Sequence, residues 1–140
     1  RGLGDVYKRQ MQWSGALYGG FSTAAPWIGM GRNWRAANAE REEGDPHSVL
    51  SFYKQVLAFR KNNPLIRDGS FRLLWPEDER IFAYERRLGA EGLLVLCNFS
   101  AKTISLPEPV AYTPPDLLLS NLPEHTPNVL RPYEAVAIRR

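Results

Sequence analysis

The sequence predicts an α+β chain in which a long irregular loop and one helix precede a small antiparallel β-sandwich. Three observations carry that expectation. Apolar residues recur three and four apart between Asp45 and Asn63, the period of one helix face. From Ser70 onward the period changes to two, and short apolar runs are separated by turn residues. Between Met11 and Asn38 neither period holds, and glycines and large aromatic residues dominate instead.

In chain order, the decapeptide RGLGDVYKRQ comes first. It resembles one reading frame of a transposon-end sequencing adapter at all ten positions. On that resemblance residues 1–10 are not native, and the natural protein continues upstream of Met11. Next, Gly15, Gly19, Gly20, Gly29 and Gly31 mark turns in a long loop, with Trp13, Tyr18, Phe21, Trp27 and Trp34 spread among them. A loop of this length without regular structure is usually functional. The run Glu40–Glu43 (EREE) reads as a solvated face.

The helix of 45–63 follows, with Asp45 expected as N-cap and Pro46 at the first helical position. Arg60 and Lys61 suit the negative end of its dipole, and Asn63 before Pro64 ends it. Its apolar stripe is too wide for one neighbour. The side around Leu50, Tyr53, Leu57 and Lys61 is expected to pack on the rest of the chain. The side around Val49, Phe52, Val56 and Phe59 is expected to face a body that is missing.

Strands are then expected at Ser70–Trp75, Ile81–Arg87, Gly92–Phe99, Lys102–Leu106, Asp116–Ser120 and Glu134–Ile138. In the first of them Phe71, Leu73 and Trp75 alternate onto one side. Gly89 closes a hairpin between the second and third. The third, GLLVLCNF, is apolar on both faces and should be central.

Composition excludes several function classes. Hydrophobic residues at 44% and charged residues at 24% are ordinary for a globular chain. The pI near 9.2 suggests nucleic acid, but residues 1–10 supply most of the excess charge. Without them 15 basic face 14 acidic residues, +1 in place of +3, and the remainder are scattered rather than clustered. No run is apolar enough to span a membrane, and nothing at the start resembles a signal peptide. The one cysteine, Cys97, has no internal partner and reads as a buried small hydrophobe.

Candidate chemistry is sparse. His47 and His125 have no Cys or acidic partners at ligand spacing, so no zinc site is expected. Glu77, Asp78 and Glu79 sit in a turn where nothing raises a pKa for acid work. Asn98-Phe99-Ser100 matches a glycosylation sequon, but Asn98 reads as a strand-end residue bonding a turn.

A wider pattern joins these pieces. Met11-Gln12-Trp13, Gly20-Phe21-Ser22, Pro26-Trp27-Ile28, Asp45-Pro46, Asn63-Pro64, Ile81-Phe82-Ala83-Tyr84, Asn98-Phe99-Ser100 and Leu130-Arg131-Pro132-Tyr133-Glu134-Ala135 occur in that order. Their order and spacing resemble the C-terminal part of α-amylase-superfamily α-glucosidases, the oligo-1,6-glucosidase, dextran glucosidase and trehalose-6-phosphate hydrolase group. The resemblance implies that 11–66 is the last loop and helix of a (β/α)8 barrel and 67–140 a C-terminal β-domain. The missing barrel is then the second body against the 45–63 helix.

It further implies retaining hydrolysis of α-glucoside oligosaccharides in a cytoplasmic enzyme, with no cofactor, metal, nucleic-acid or membrane partner. By the family pattern the nucleophile, the acid/base and a third carboxylate all lie upstream, so no catalytic residue is assigned. Gln12 and Trp13 are the substrate-proximal candidates. The chain departs from the pattern at Ser14, where Asp is frequent, and at Tyr18, where Asn is usual. Two other readings remain at this stage: a stand-alone carbohydrate-binding β-module, and the glucosidase-like ectodomain of an amino-acid-transporter subunit.

Overall fold

The structure, a computed structural model, describes residues 11–140. The decapeptide, and with it the adapter assignment, lies outside the described residues. The chain divides into two compact units between Gln55 and Val56.

The first unit is loop-rich. A 3-10 turn spans Leu17–Gly20, and a short helix, α1, spans Ala39–Glu43 where a charge run was read. Asn38 starts α1: its Oδ1 accepts from Arg41 N at 3.1 Å, and its Nδ2 donates to Trp34 O at 2.7 Å. The long helix, α2, spans Val49–Lys61. Its cap corrects the expectation. Asp45 accepts from His47 N and closes a turn, whereas Ser48 Oγ accepts from Ser51 N at 3.1 Å and occupies the capping position. Asp45 loses because its own turn, closed by Ser48 N donating to Asp45 O, fixes the four residues before the helix in a non-helical path.

The faces of α2 also differ from expectation. Val49, Tyr53 and Leu57 are 77%, 63% and 52% exposed, whereas Phe52, Val56 and Phe59 are half-buried. Asn63 is extended, as expected before proline, but Pro64 then opens another helix, α3, over Pro64–Asp68. That turn of chain brings Phe59 onto Leu65, Leu93 and Ala137, so of the four residues expected to be free Phe52, Val56 and Phe59 are partly covered and Val49 is exposed.

In the second unit β1 (Arg72–Leu74), β2 (Ile81–Leu88), β3 (Glu91–Asn98), β7 (Ala135–Arg139) and β5 (Leu117–Ser120) form an antiparallel sheet in that spatial order. β3 is central, as its two-faced apolarity requires. A second, two-stranded sheet pairs β4 (Ile104–Ser105) with β6 (Val129–Leu130). Ala83, Leu96 and Val136 stand side by side across β2, β3 and β7. They form one core with Ile104, Val110 and Leu130 from outside the large sheet. A register shift between Leu117 and Leu119 lets β5 send Leu117 to this core and Leu118 and Leu119 to the opposite face.

Two strand expectations are corrected. In β1 the inward residue is Leu74; Phe71 and Leu73 face out at 57% and 43% exposure. Trp75 reaches the core side only because its φ of 47° breaks the alternation. Val129 and Leu130 fall outside every expected strand, yet they form β6, with Leu130 fully buried opposite Ile104. No helix among the described residues is long and apolar enough to cross a membrane.

Candidate functional site

Gln12 and Trp13 lie on an extended segment held on both sides by backbone bonds. The N–H groups of Trp13 and Ser14 both donate to Gly19 O, at 2.9 and 3.1 Å. Their acceptor is presented by a tight turn in which Tyr18, Gly19 and Gly20 have φ of 56°, 66° and 73°. Glycine adopts that region freely, and asparagine enters it more easily than tyrosine does. On the other side, Ala39 N donates to Gln12 O and Glu40 N to Trp13 O, each at 2.9 Å. Two free amides of the first turn of α1 are thereby satisfied. The segment is placed by main chain, and its side chains are left available. A side-chain carbon at Gly31 would meet the Gln12 amide and push that flexible side chain aside.

The segment borders an open cavity of about 1060 Å³ whose other walls include Met11, Asn38, Glu42 and Lys54. The Trp13 indole is 56% exposed. The acids at this wall are engaged in holding the unit together. Glu42 Oε2 accepts from Leu50 N at 3.1 Å, and Glu43 Oε1 pairs with Lys54 Nζ at 2.9 Å on the surface. An indole, a carboxamide and an exposed ammonium–carboxylate pair suit contact with a polyhydroxyl ligand. A retaining hydrolysis needs two carboxylates about 5–5.5 Å apart with separate roles. Glu42 and Glu43 have other duties here.

The remaining sequence candidates fall as follows. His47 is exposed at the turn before α2. Asp78 is bonded by Arg80 at 2.6 Å, and that guanidinium holds its carboxyl at about 2, the opposite of what a general acid requires. Asn98 is 2% exposed; its Nδ2 donates to Lys102 O, Leu130 O and Arg131 O, and its Oδ1 accepts from Ser100. It ties the end of β3 to a turn, as read, and is closed to modification. Cys97 is half-buried rather than buried. Among the described residues no three His, Cys, Asp or Glu side chains gather to hold a metal ion.

Sequence reading missed one buried polar cluster. Glu134, with no exposed surface, bonds His125 Nδ1 at 2.9 Å and accepts from Arg131 N at 2.7 Å and Arg131 Nη2 at 3.2 Å. Burial pushes the Glu134 carboxyl up, but the Arg131 and His125 bonds outweigh it and hold it below the usual range. His125 therefore has an acidic partner, nine residues along, in a buried hydrogen bond that pins the 121–131 loop. A spacing of nine matches no ligand motif, so only the fold exposes it.

The sequence matches the model of the α-amylase catalytic domain over residues 3–69, a span that enters the decapeptide. It is 36% identical to an oligo-1,6-glucosidase of Bacillus cereus, over 96% of this chain and 25% of that protein. With the trehalose-6-phosphate hydrolase of Bacillus subtilis it shares 33% identity, over 96% and 25%. Among solved structures, a mutant of MutB soaked with trehalulose superposes with a TM-score of 0.87 at 30% identity, covering 97% of this chain and 26% of that one. Trehalose-6-phosphate hydrolase of Bacillus licheniformis gives 0.81 at 31%, covering 92% and 25%. The chain spans about a quarter of the length of the curated relatives it matches. Nearly the whole of this chain is thus homologous to a part of α-amylase-family glucosidases.

Proposed function

We propose that the chain is the C-terminal part of an α-amylase-family retaining α-glucosidase acting on short α-glucoside oligosaccharides in the cytoplasm. The observation that carries this reading is the coverage: almost all of the chain aligns with glucosidases, but with only about a quarter of each. On this reading residues 11–66 close a (β/α)8 barrel, 67–140 form a β-sandwich domain beside it, and 1–10 derive from an adapter. Gln12 and Trp13 then face the mouth of the substrate cleft. The carboxylate nucleophile, the acid/base and the third carboxylate belong to the preceding polypeptide. The exposed Val49, Tyr53 and Leu57 edge of α2 packs against that polypeptide.

The test is to recover the genomic sequence upstream of the Met11 codon and to express the extended protein. Glucose release from isomaltose, maltose or trehalose 6-phosphate by the extended protein, and none by residues 1–140, is the expected result. Hydrolysis by residues 1–140 alone, or an upstream sequence without the carboxylates, would overturn it.

A further inference from the structure

Two cavities in the second unit share one side chain, Trp75. The larger, about 490 Å³, is bounded by Trp75, Pro76, Glu77, Asp78, Arg80 and Pro107. The smaller, about 190 Å³, adds Arg72, Glu108 and Arg140 around the same residue. Trp75 leaves β1 with a φ of 47°, and its carbonyl accepts from Asp78 N at 3.0 Å, which sets the turn. The indole rests on the core and still borders both cavities. Its floor is therefore fixed before any ligand arrives.

The surroundings define the ligand. Prolines 76 and 107 make a stiff apolar rim. Carboxylates (Glu77, Glu108) and the Arg140 guanidinium line the two cavities with Trp75, while Arg72 and Arg80 there are paired with Glu85 and Asp78. Mixed signs do not select an ion. They do supply the acceptors and donors that sugar hydroxyls need, while the C–H face of a pyranose packs on the indole. The larger cavity is open to solvent, so a sugar would lie on the ring rather than be enclosed.

We infer that Trp75 floors a second, non-catalytic binding site for one or two glucosyl units of an α-glucoside oligosaccharide. The choice of sugar class rests on the proposed function; the site itself rests on the cavities. In an isotope-labelled 1–140 chain titrated with maltotriose or isomaltotriose up to about 10 mM, the Trp75 indole resonance and the Glu77 and Arg80 amides should shift saturably. Trp75→Phe identifies that indole among the 4 tryptophans. Trp75→Ala should weaken binding about tenfold or more, a loss of roughly 1.4 kcal/mol. Glu77→Lys, at an exposed position where substitution leaves the fold intact, should weaken it several-fold and decides the matter if Trp75→Ala does not fold.

Shifts confined to Trp13, no shift at about 10 mM sugar, or full affinity in both variants would overturn the site. An extended enzyme that hydrolyses glucosides while Trp75 stays silent removes this inference alone. Sugar bound at Trp75 beside an inactive extended enzyme removes the proposed function alone.

Discussion

Between residues 11 and 55 the buried residues are Gly19, Asn38 and Ser48, whereas every buried apolar residue lies between Leu65 and Ile138. The first unit is stitched by backbone bonds and by side-chain caps from Asn38, Glu42 and Ser48. The second is closed around Ala83, Leu94, Leu96, Val136 and Ile138. A hydrogen bond contributes about 1 kcal/mol net, because water offered one before. A buried leucine or valine contributes about 1.5–3 kcal/mol, because water offered it nothing. Stitching therefore shapes the first unit, and burial stabilises the second. On the proposed reading, the apolar neighbour that the first unit lacks belongs to a longer polypeptide.

Substitutions sharpen this comparison in order of expected effect. Glu134→Ala leaves His125 and part of Arg131 buried without their acid, and should cost about 3–5 kcal/mol in denaturant unfolding. Its pH signature has a definite sign. Because the Glu134 carboxyl is lowered in the fold, its contribution is complete above the ordinary unfolded value, about 4.3. It is lost as pH falls through the folded value. Glu134→Gln should flatten that acid limb, measured as stability from pH 6 downward; an unchanged limb would remove Glu134 from the account.

Leu94→Ala, at a position with no exposed surface, should cost about 3 kcal/mol and unfold the sheet as a whole. Ser48→Ala removes the cap of α2 and should cost about 1 kcal/mol, read as loss of helical circular dichroism with the sheet intact. Smallest is the exposed edge. Polar replacement of Val49, Tyr53 and Leu57 together should change unfolding free energy by less than about 0.5 kcal/mol each while raising the solubility limit. A large loss there would show an internal core where the structure shows solvent.

The difference between the units also explains what was legible in the sequence. The β2–β3 hairpin could be read because Gly89 between two apolar runs acts locally, and Ile81 and Leu88 pair with Asn98 and Glu91 as that turn dictates. The central place of β3 followed from apolarity on both faces. β6 was lost because two residues, Val129 and Leu130, carry no period. In β1 the alternation was real but its face was assigned wrongly, since the left-handed Trp75 reverses direction and no propensity announces that. On α2 the width of the stripe was informative and the assignment of its sides was not, because the α3 turn after Pro64 decides which side meets Leu65. At the candidate site, Gln12 and Trp13 were singled out by resemblance. The clamp that holds them, from Gly19 on one side and α1 on the other, joins residues too far apart for any sequence spacing to show.

The proposed function implies that the second unit is stable by itself while the first depends on polypeptide beyond this chain. Native-state hydrogen exchange tests it most directly. Amides of Leu93–Leu96 in β3 and Val136–Ile138 in β7 should exchange only by global unfolding. Those of Gln12–Ser14, Ala39–Glu43 and Val49–Gln55 should exchange through local opening, at least about 2 kcal/mol more easily. Equal protection in the two sets would contradict the account, because it would require the first unit to share a core that the structure confines to the second.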